Sequence, residues 1–216
     1  MSVRIVIVED HPLMQKGMAL TLENELGFEV CGMASSAEEA QELIREMQPD
    51  VAIIDISLPG MSGIELIREL RNRYEKLHML VVSRYDEELF AERAVRAGAK
   101  GYIMKMHAGE QVIEAVTRIV NGGMYLSESI SQKLLLGLSA GNESKTNSPY
   151  QKLSDRELNV FRMLGQGKAT REIAAKMHIS AKTVDTYKTR IQEKLHIPDR
   201  NSLLQAAVQW FREKEH

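Results

Sequence analysis

The 216-residue sequence predicts two joined domains of different class: a doubly wound α/β domain built on a five-stranded parallel sheet, then an all-α domain of four helices. Three observations carry this prediction. Short apolar runs alternate with amphipathic stretches five times through the first 120 residues. A stretch rich in Ser, Asn and Gly follows at residues 138–151 (LSAGNESKTNSPYQ). Beyond residue 152 only helical periodicity recurs. The expected boundaries are 1–125 for the first domain, 126–150 for a linker helix and flexible linker, and 151–216 for the second domain.

The elements follow in order. Apolar runs at 3–8, 28–33, 51–54, 79–82 and 102–104 are expected to be strands. Ile53-Ile54 and Val81-Val82 are continuous rather than alternating, as strands buried on both faces require. Between them, apolar residues recur at helical spacing in 14–26, 37–47, 64–73, 87–97 and 111–120. Strand and helix in regular alternation imply a parallel sheet with helices on both sides. A further helix is expected at 129–138, and the polar stretch after it buries too little apolar surface to offset its ordering. Ser154, with Glu157 three residues on, has the pattern of a capping box that opens the first C-terminal helix; Gly165 and Gly167 close it. Thr170 is expected to cap a second helix running to about residue 177, and Ser180 a third over 181–195. Pro198 ends the third, and 201–211 forms a fourth.

No run approaches the roughly eighteen apolar residues that span a bilayer, and the N-terminus lacks a basic stretch followed by a small-residue cleavage site. A cytoplasmic location with no membrane partner is therefore expected. The lone Cys31 forms no internal disulfide and is expected to be a small buried apolar side chain. The net charge of −2 conceals an asymmetry: residues 1–125 carry −7, residues 126–149 are neutral and residues 150–216 carry +5. Only the C-terminal part suits approach to a polyanion.

Ligands of open α/β sheets bind beyond the carboxyl ends of the strands. Strand one runs into Glu9-Asp10, strand three into Asp55, strand four into Ser83 and strand five into Lys105. Three carboxylates converging there repel one another and require a cation or a shared proton. An all-oxygen pocket selects a hard ion such as Mg²⁺, which keeps waters and accepts phosphate oxygens. Asp55 is then placed as a nucleophile toward phosphorus, with Ser83 and Lys105 sharing the charge of the phosphoryl oxygens. Ordinary strand-end carboxylates are the alternative for any one residue, but not for the five in register.

Residues 3–121 resemble the response-regulator receiver family in the stretches IVIVEDHPLM, PDVAIIDISLPGMSGIEL, MLVVSRYDE and AGAKGYIMK. The resemblance implies a flavodoxin-like fold and phosphorylation of Asp55 by a sensor histidine kinase. It further implies Mg²⁺ held by Glu9, Asp10, Asp55 and the backbone carbonyl of Ser57, and phosphoryl contacts from Ser83 and Lys105. Tyr102 matches the family's aromatic switch, and a plain core aromatic is the equal alternative. Pro59-Gly60 and Gly63 fit the tight loop after strand three. Arg84 departs from the family, where a small residue is usual, and would narrow access to the phosphoryl site. Met106 stands where a proline or polar residue is common.

A short second helix, a tight turn and a longer third helix in the C-terminal part make a helix-turn-helix. On a wheel Val184, Tyr187, Ile191 and Leu195 form the buried stripe of the third helix. Lys182, Asp185, Thr186, Thr189 and Gln192 lie opposite and can meet base edges, while Lys188, Arg190 and Lys194 flank that arc to contact phosphates. Residues 153–197 closely resemble the LuxR/NarL-type DNA-binding domain through Leu153, Arg156-Glu157, Gly167, Glu172-Ile173-Ala174, Ile179-Ser180, Thr183-Val184 and Lys194-Leu195. That resemblance implies that the helix over 181–195 enters the major groove of double-stranded DNA and that the last helix supports dimerisation. Asp185 either accepts from a cytosine amino group or repels phosphate. Thr183, on the motif itself, completes the expected contact set.

The whole chain thus resembles a NarL/FixJ-type two-component response regulator, a non-enzymatic transcription regulator that dimerises when phosphorylated. Two other readings stay open: a DNA-binding protein with a degenerate receiver, favoured only by Arg84, and a small phosphohydrolase using His11 or His107 near the pocket rim.

Overall fold

The computed structural model describes residues 2–139 and 149–214. It divides into two compact units, residues 1–141 and 142–216. The expected linker falls mostly on residues 140–148, outside the described residues.

The first unit alternates β1 (Val3–Val8), α1 (Pro12–Glu23), β2 (Phe28–Ala34), α2 (Ala37–Met47), β3 (Val51–Ile54), α3 (Gly63–Arg73), β4 (His78–Ser83), α4 (Glu87–Ala97), β5 (Gly101–Met104) and α5 (Ala108–Val120), and ends in α6 (Glu128–Ser139). All strand pairs are parallel, in the order β2-β1-β3-β4-β5. This order sets β3 between β1 and β4, so the exits of those three strands lie side by side. On one face Ile5, Ile7, Val51, Ile53, Leu80, Val82 and Ile103 pack with Met18 and Leu22 of α1 and with Val112, Val116 and Ile119 of α5. By the two-residue period of a strand, Val6, Val8, Ile54 and Val81 face the other layer; all are buried. At roughly 2 kcal/mol for each fully buried aliphatic side chain, the two layers fix the register strongly. Tyr125 bridges Gly101, and its amide and carbonyl bond Lys100 and Tyr102, covering the open edge of β5.

The predicted strands are all present, while some helix ends differ for local reasons. α1 begins at Pro12 rather than 14, because proline at the first helical position forfeits no hydrogen bond. It stops at Glu23, and Leu26 is solvent-exposed before the left-handed turn at Gly27. A 3-10 turn over Lys105–His107 leads into α5, which starts three residues earlier than expected. Cys31 is half-buried on edge strand β2, its thiol directed at the Ile5 carbonyl, and not a full core residue.

The second unit contains α7 (Asp155–Gly165), α8 (Thr170–Lys176), α9 (Ala181–Leu195) and α10 (Arg200–Lys214). The capping box at Ser154 and Glu157 is present, as is the Ser180 cap on α9. Thr170 is the first residue of α8, not its cap: the Glu172 carboxylate takes the Ala169 amide at 2.7 Å. Asp199 takes the amides of Asn201 and Ser202 and so opens α10 earlier than expected. The unit also reaches back beyond the expected boundary at 151. Pro149–Lys152 form a 3-10 turn, and the Tyr150 ring lies 5.2 Å from Phe161 and 5.6 Å from Trp210. No described helix is long and apolar enough to cross a membrane.

Candidate functional site

The strand exits of the first unit bring the predicted acidic residues together. One ligand atom from each of Glu9, Asp10, His11 and Asp55 lies within 4.8 Å of the others. Glu9 and Asp55 are each 1% exposed, which places two carboxylates where charge is costly. Gly63 makes the turn after β3 possible: a Cβ there would sit 2.0 Å from the carbonyl oxygen of Asp55. Gly60, at φ 69°, supplies the left-handed bend in the same loop.

Lys105 is the cation of the pocket. Its Nζ donates to Asp55 Oδ2 at 2.8 Å and makes an ion pair with Glu9 Oε2 at 2.6 Å. The Ser57 hydroxyl donates to Asp55 Oδ2 at 2.6 Å. This side-chain contact was not anticipated from the sequence, where Ser57 figured only through its carbonyl. Burial raises the Glu9 pKa, the charge of Asp55 raises it further, and Lys105 offsets only part of this.

Each of the three carboxylates keeps one buried oxygen without a hydrogen bond: Glu9 Oε2, Asp10 Oδ1 and Asp55 Oδ1. Two of these oxygens nevertheless have a nitrogen close by: Lys105 Nζ lies 2.6 Å from Glu9 Oε2, and His11 Nδ1 lies 2.6 Å from Asp10 Oδ1. Three carboxylates crowded around one lysine, with Asp55 Oδ1 given neither a hydrogen bond nor an ion pair, are the oxygen donor set a hard divalent cation takes, so the residues present fit Mg²⁺.

Ser83 is fully buried at the exit of β4, with its hydroxyl accepting from the Tyr85 amide at 3.3 Å. Tyr102 is 2% exposed and donates to the Tyr85 carbonyl at 2.8 Å. Its side chain therefore occupies the inward position, tied to the loop after β4. Burial and then the Asp55 charge hold its phenol well above the ordinary value. Of the two histidines expected at the rim, only His11 joins the pocket. Its Nδ1 lies 2.9 Å from Glu9 Oε1, and its backbone amide donates to the same oxygen at 3.0 Å. His107 is exposed in the turn after β5 and lies outside the cluster. Arg84 is exposed and donates to His11 Nε2 at 3.1 Å.

In the second unit, Val184 and Ile191 of α9 are fully buried, whereas Tyr187 and Leu195 are only partly covered. Lys182, Thr186, Thr189 and Arg190 are exposed on the opposite arc, with Thr183 and Asp185 half-buried beside them. Two of the expected phosphate-contacting lysines are engaged inside the unit. Lys188 donates to the Thr170 hydroxyl of α8. Lys194 pairs with Glu157 of α7 at 2.6 Å. Asp185 lies 3.7 Å from Lys188 and 3.9 Å from Arg200, so its charge is partly countered.

The chain thus joins a parallel-sheet unit with three carboxylates and a lysine at its strand exits to a basic helix-turn-helix unit, the two parts of a receiver and a DNA-binding module. Comparison with known proteins gives the same division. Residues 5–117 match the response regulator receiver domain, and residues 151–207 match the bacterial regulatory proteins of the luxR family. The chain is 33% identical over 206 residues to the response regulator GacA of Pseudomonas aeruginosa, covering 95% of both chains. It is 32% identical to the oxygen regulatory protein NreC of Staphylococcus carnosus, covering 95% of this chain and 96% of that one. A LuxR-family response regulator from Aurantimonas superposes with a TM-score of 0.59 at 32% identity, covering 64% of this chain and 99% of the other. The chain belongs to the NarL/LuxR family of two-component response regulators, which regulate transcription.

Proposed function

We propose that Asp55 accepts a phosphoryl group from a sensor histidine kinase and that the modification favours a dimer that binds double-stranded DNA through α9. The observation that carries this reading is the crowding of Glu9, Asp10 and Asp55 around Lys105, with Asp55 Oδ1 left without a partner. Glu9, Asp10 and Asp55, with the Ser57 carbonyl, would hold Mg²⁺, which when bound supplies positive charge to phosphoryl oxygens. An Asp55 oxygen forms the bond to phosphorus while the bond from phosphorus to the donor's imidazole nitrogen breaks; the electron pair leaves with the nitrogen. Lys105, already 2.8 Å from Asp55, bonds a phosphoryl oxygen, and the Ser83 hydroxyl bonds another. Moving Ser83 draws on the loop that also holds Tyr102 through the Tyr85 carbonyl. In a linked equilibrium, phosphorylation shifts the population only as far as these contacts differ between the two states.

On the DNA side, Lys182 and Arg190 are placed to contact phosphates, and Thr183, Asp185, Thr186 and Thr189 to meet base edges. Lys188 and Lys194 flank this set for further phosphate contacts, and each also ties α9 to a neighbouring helix, through Thr170 of α8 and Glu157 of α7. One such module covers little DNA, so specific binding uses two copies on spaced half-sites, with α10 the candidate dimer contact. The regulator acts in the cytoplasm, where its kinase partner's phosphohistidine and the chromosome are both accessible.

The test is treatment with acetyl phosphate or beryllofluoride in Mg²⁺, following intact mass, sedimentation and DNA affinity for wild type and Asp55→Ala. One phosphoryl group on wild type, none on the variant, and tighter dimerisation and DNA binding are expected. Unchanged oligomeric state and DNA affinity on a fully phosphorylated sample would remove the coupling.

A further inference from the structure

We infer that Arg84 and His11 form a clasp over the mouth of the phosphoacceptor pocket and set how readily phosphodonors and water reach Asp55. The inference rests on the proposed phosphorylation of Asp55. His11 follows the exit of β1, and Arg84 follows the exit of β4. Between those two strands lies β3, whose exit carries Asp55. A direct hydrogen bond from Arg84 Nη2 to His11 Nε2, at 3.1 Å, must therefore pass across the Asp55 exit. The two ends of the bridge are not equally fixed. His11 is anchored at two points on Glu9, through its backbone amide and Nδ1, and Glu9 is itself buried. Arg84 is exposed, and its long side chain swings away at little cost once that one bond breaks. A rigid post and a mobile bar are the parts of a gate.

The bridge itself uses His11 Nε2, on the far side of the ring from the carboxylates, while Nδ1 rests against Glu9 Oε1 and Asp10 Oδ1. What it obstructs is approach from solvent. Two reactions need that approach. In loading by acetyl phosphate, an Asp55 oxygen bonds to phosphorus as the bond between phosphorus and the acetate oxygen breaks, and acetate leaves with the electron pair. In hydrolysis, a water oxygen bonds to phosphorus, the acyl-phosphate P–O bond breaks, Asp55 regains its carboxylate, and the water proton passes to solvent. A gate slows both, and slows loading most for the bulkier donor.

Loading rates with phosphoramidate and with acetyl phosphate, and the lifetime of phosphorylated Asp55, would be measured at saturating Mg²⁺. The proteins are the full-length wild type, R84A, H11A, the double variant, and D55A as control. Opening the gate should raise acetyl phosphate loading and hydrolysis about fivefold in R84A, the factor corresponding to one ordinary hydrogen bond. Phosphoramidate loading should rise less, so the difference between the donors narrows. H11A should act in the same direction, and the double variant should be no faster than the faster single, because either change alone removes the bridge. Rates in R84A equal to or below wild type, with Asp55 labelled in both, would overturn the clasp and leave phosphorylation standing. If no variant carries a phosphoryl group under any donor, the phosphorylation reading fails and the clasp falls with it. Label on R84A but not on wild type would be the strongest support for gating.

Discussion

Both units of this protein bury a glutamate against a lysine, and the two arrangements differ in what they leave unfinished. In the first, Lys105 alone faces two buried carboxylates, Glu9 and Asp55, and Asp55 Oδ1 is left buried without a partner. In the second, Glu157 receives the Ser154 amide at 2.7 Å and Lys194 at 2.6 Å, and no Glu157 oxygen is left buried without a partner. The titration shifts run in opposite directions. Burial and the neighbouring Asp55 charge raise Glu9. Burial also pushes Glu157 upward, but Lys194 and the Ser154 amide together outweigh it and hold Glu157 below its ordinary value. A satisfied pair clamps two helices; an unsatisfied cluster marks a place that another charge completes.

Several substitutions test that contrast. The largest effect is expected from Lys105→Met in metal-free buffer. It leaves two buried carboxylates without their cation, and about 3 kcal/mol of receiver stability should be lost. Added Mg²⁺ should restore much of it, measured as hydrogen-exchange protection of β1 and β3 amides; no response to Mg²⁺ would mean that the acidic oxygens do not hold a cation.

Glu157→Gln should cost the second unit about 1–2 kcal/mol, less than a fully buried pair because Lys194 is partly exposed. Trp210, the single tryptophan, packs at a tilt against Phe161 and reports this unit's unfolding through its emission. The sign of the pH effect follows from the lowered folded pKa. Glu157 contributes stability above its unfolded value near 4.5 and loses it as pH falls through the folded value. Acid destabilisation seen by Trp210 should therefore be shallower in Glu157→Gln than in wild type, and parallel curves would contradict the clamp.

Asp55→Asn should do the opposite of Glu157→Gln and stabilise the metal-free receiver by about 1 kcal/mol. The asparagine oxygen can keep the bonds from Lys105 and Ser57, and its amide nitrogen takes the place of the unpartnered Oδ1 beside the other carboxylates. Glu9 gives the matching pH dependence. With its folded pKa above 4.5, its cost is absent below that pH and grows as pH rises through the folded value. Metal-free wild-type receiver should therefore gain stability on acidification from neutrality toward 4.5, and the gain should be smaller in Asp55→Asn, where repulsion on Glu9 is relieved. A destabilised Asp55→Asn would show that the pocket is balanced without a cation. The smallest effect is expected for Arg84→Ala, whose melting should stay within about 0.5 kcal/mol of wild type, since an exposed bridge adds little to folding.

The parallel sheet was legible in the sequence because strands buried on both faces must be continuously apolar, as Ile53-Ile54 and Val81-Val82 are. The acidic cluster was legible because a strand's end fixes where its next residue lies, so Glu9, Asp55, Ser83 and Lys105 could be placed from their register alone. Helix ends were less so. Thr170 looked like a cap, but Glu172 does that work, and the Thr170 hydroxyl receives Lys188. The α9 wheel separated a buried stripe from a polar arc. It could not show that Lys188 and Lys194 find partners on other helices.

Sequence alone determined the class of each unit and the chemistry gathered at the strand exits, because both follow from local periodicity and from the direction of the chain. Tertiary structure decided which of those charged groups find partners. Arg84 meets His11 across 73 positions, Lys194 meets Glu157 across 37, and Asp55 keeps an oxygen with no hydrogen bond. Whether a side chain is satisfied depends on what packing brings beside it, and no period in the chain encodes that distance.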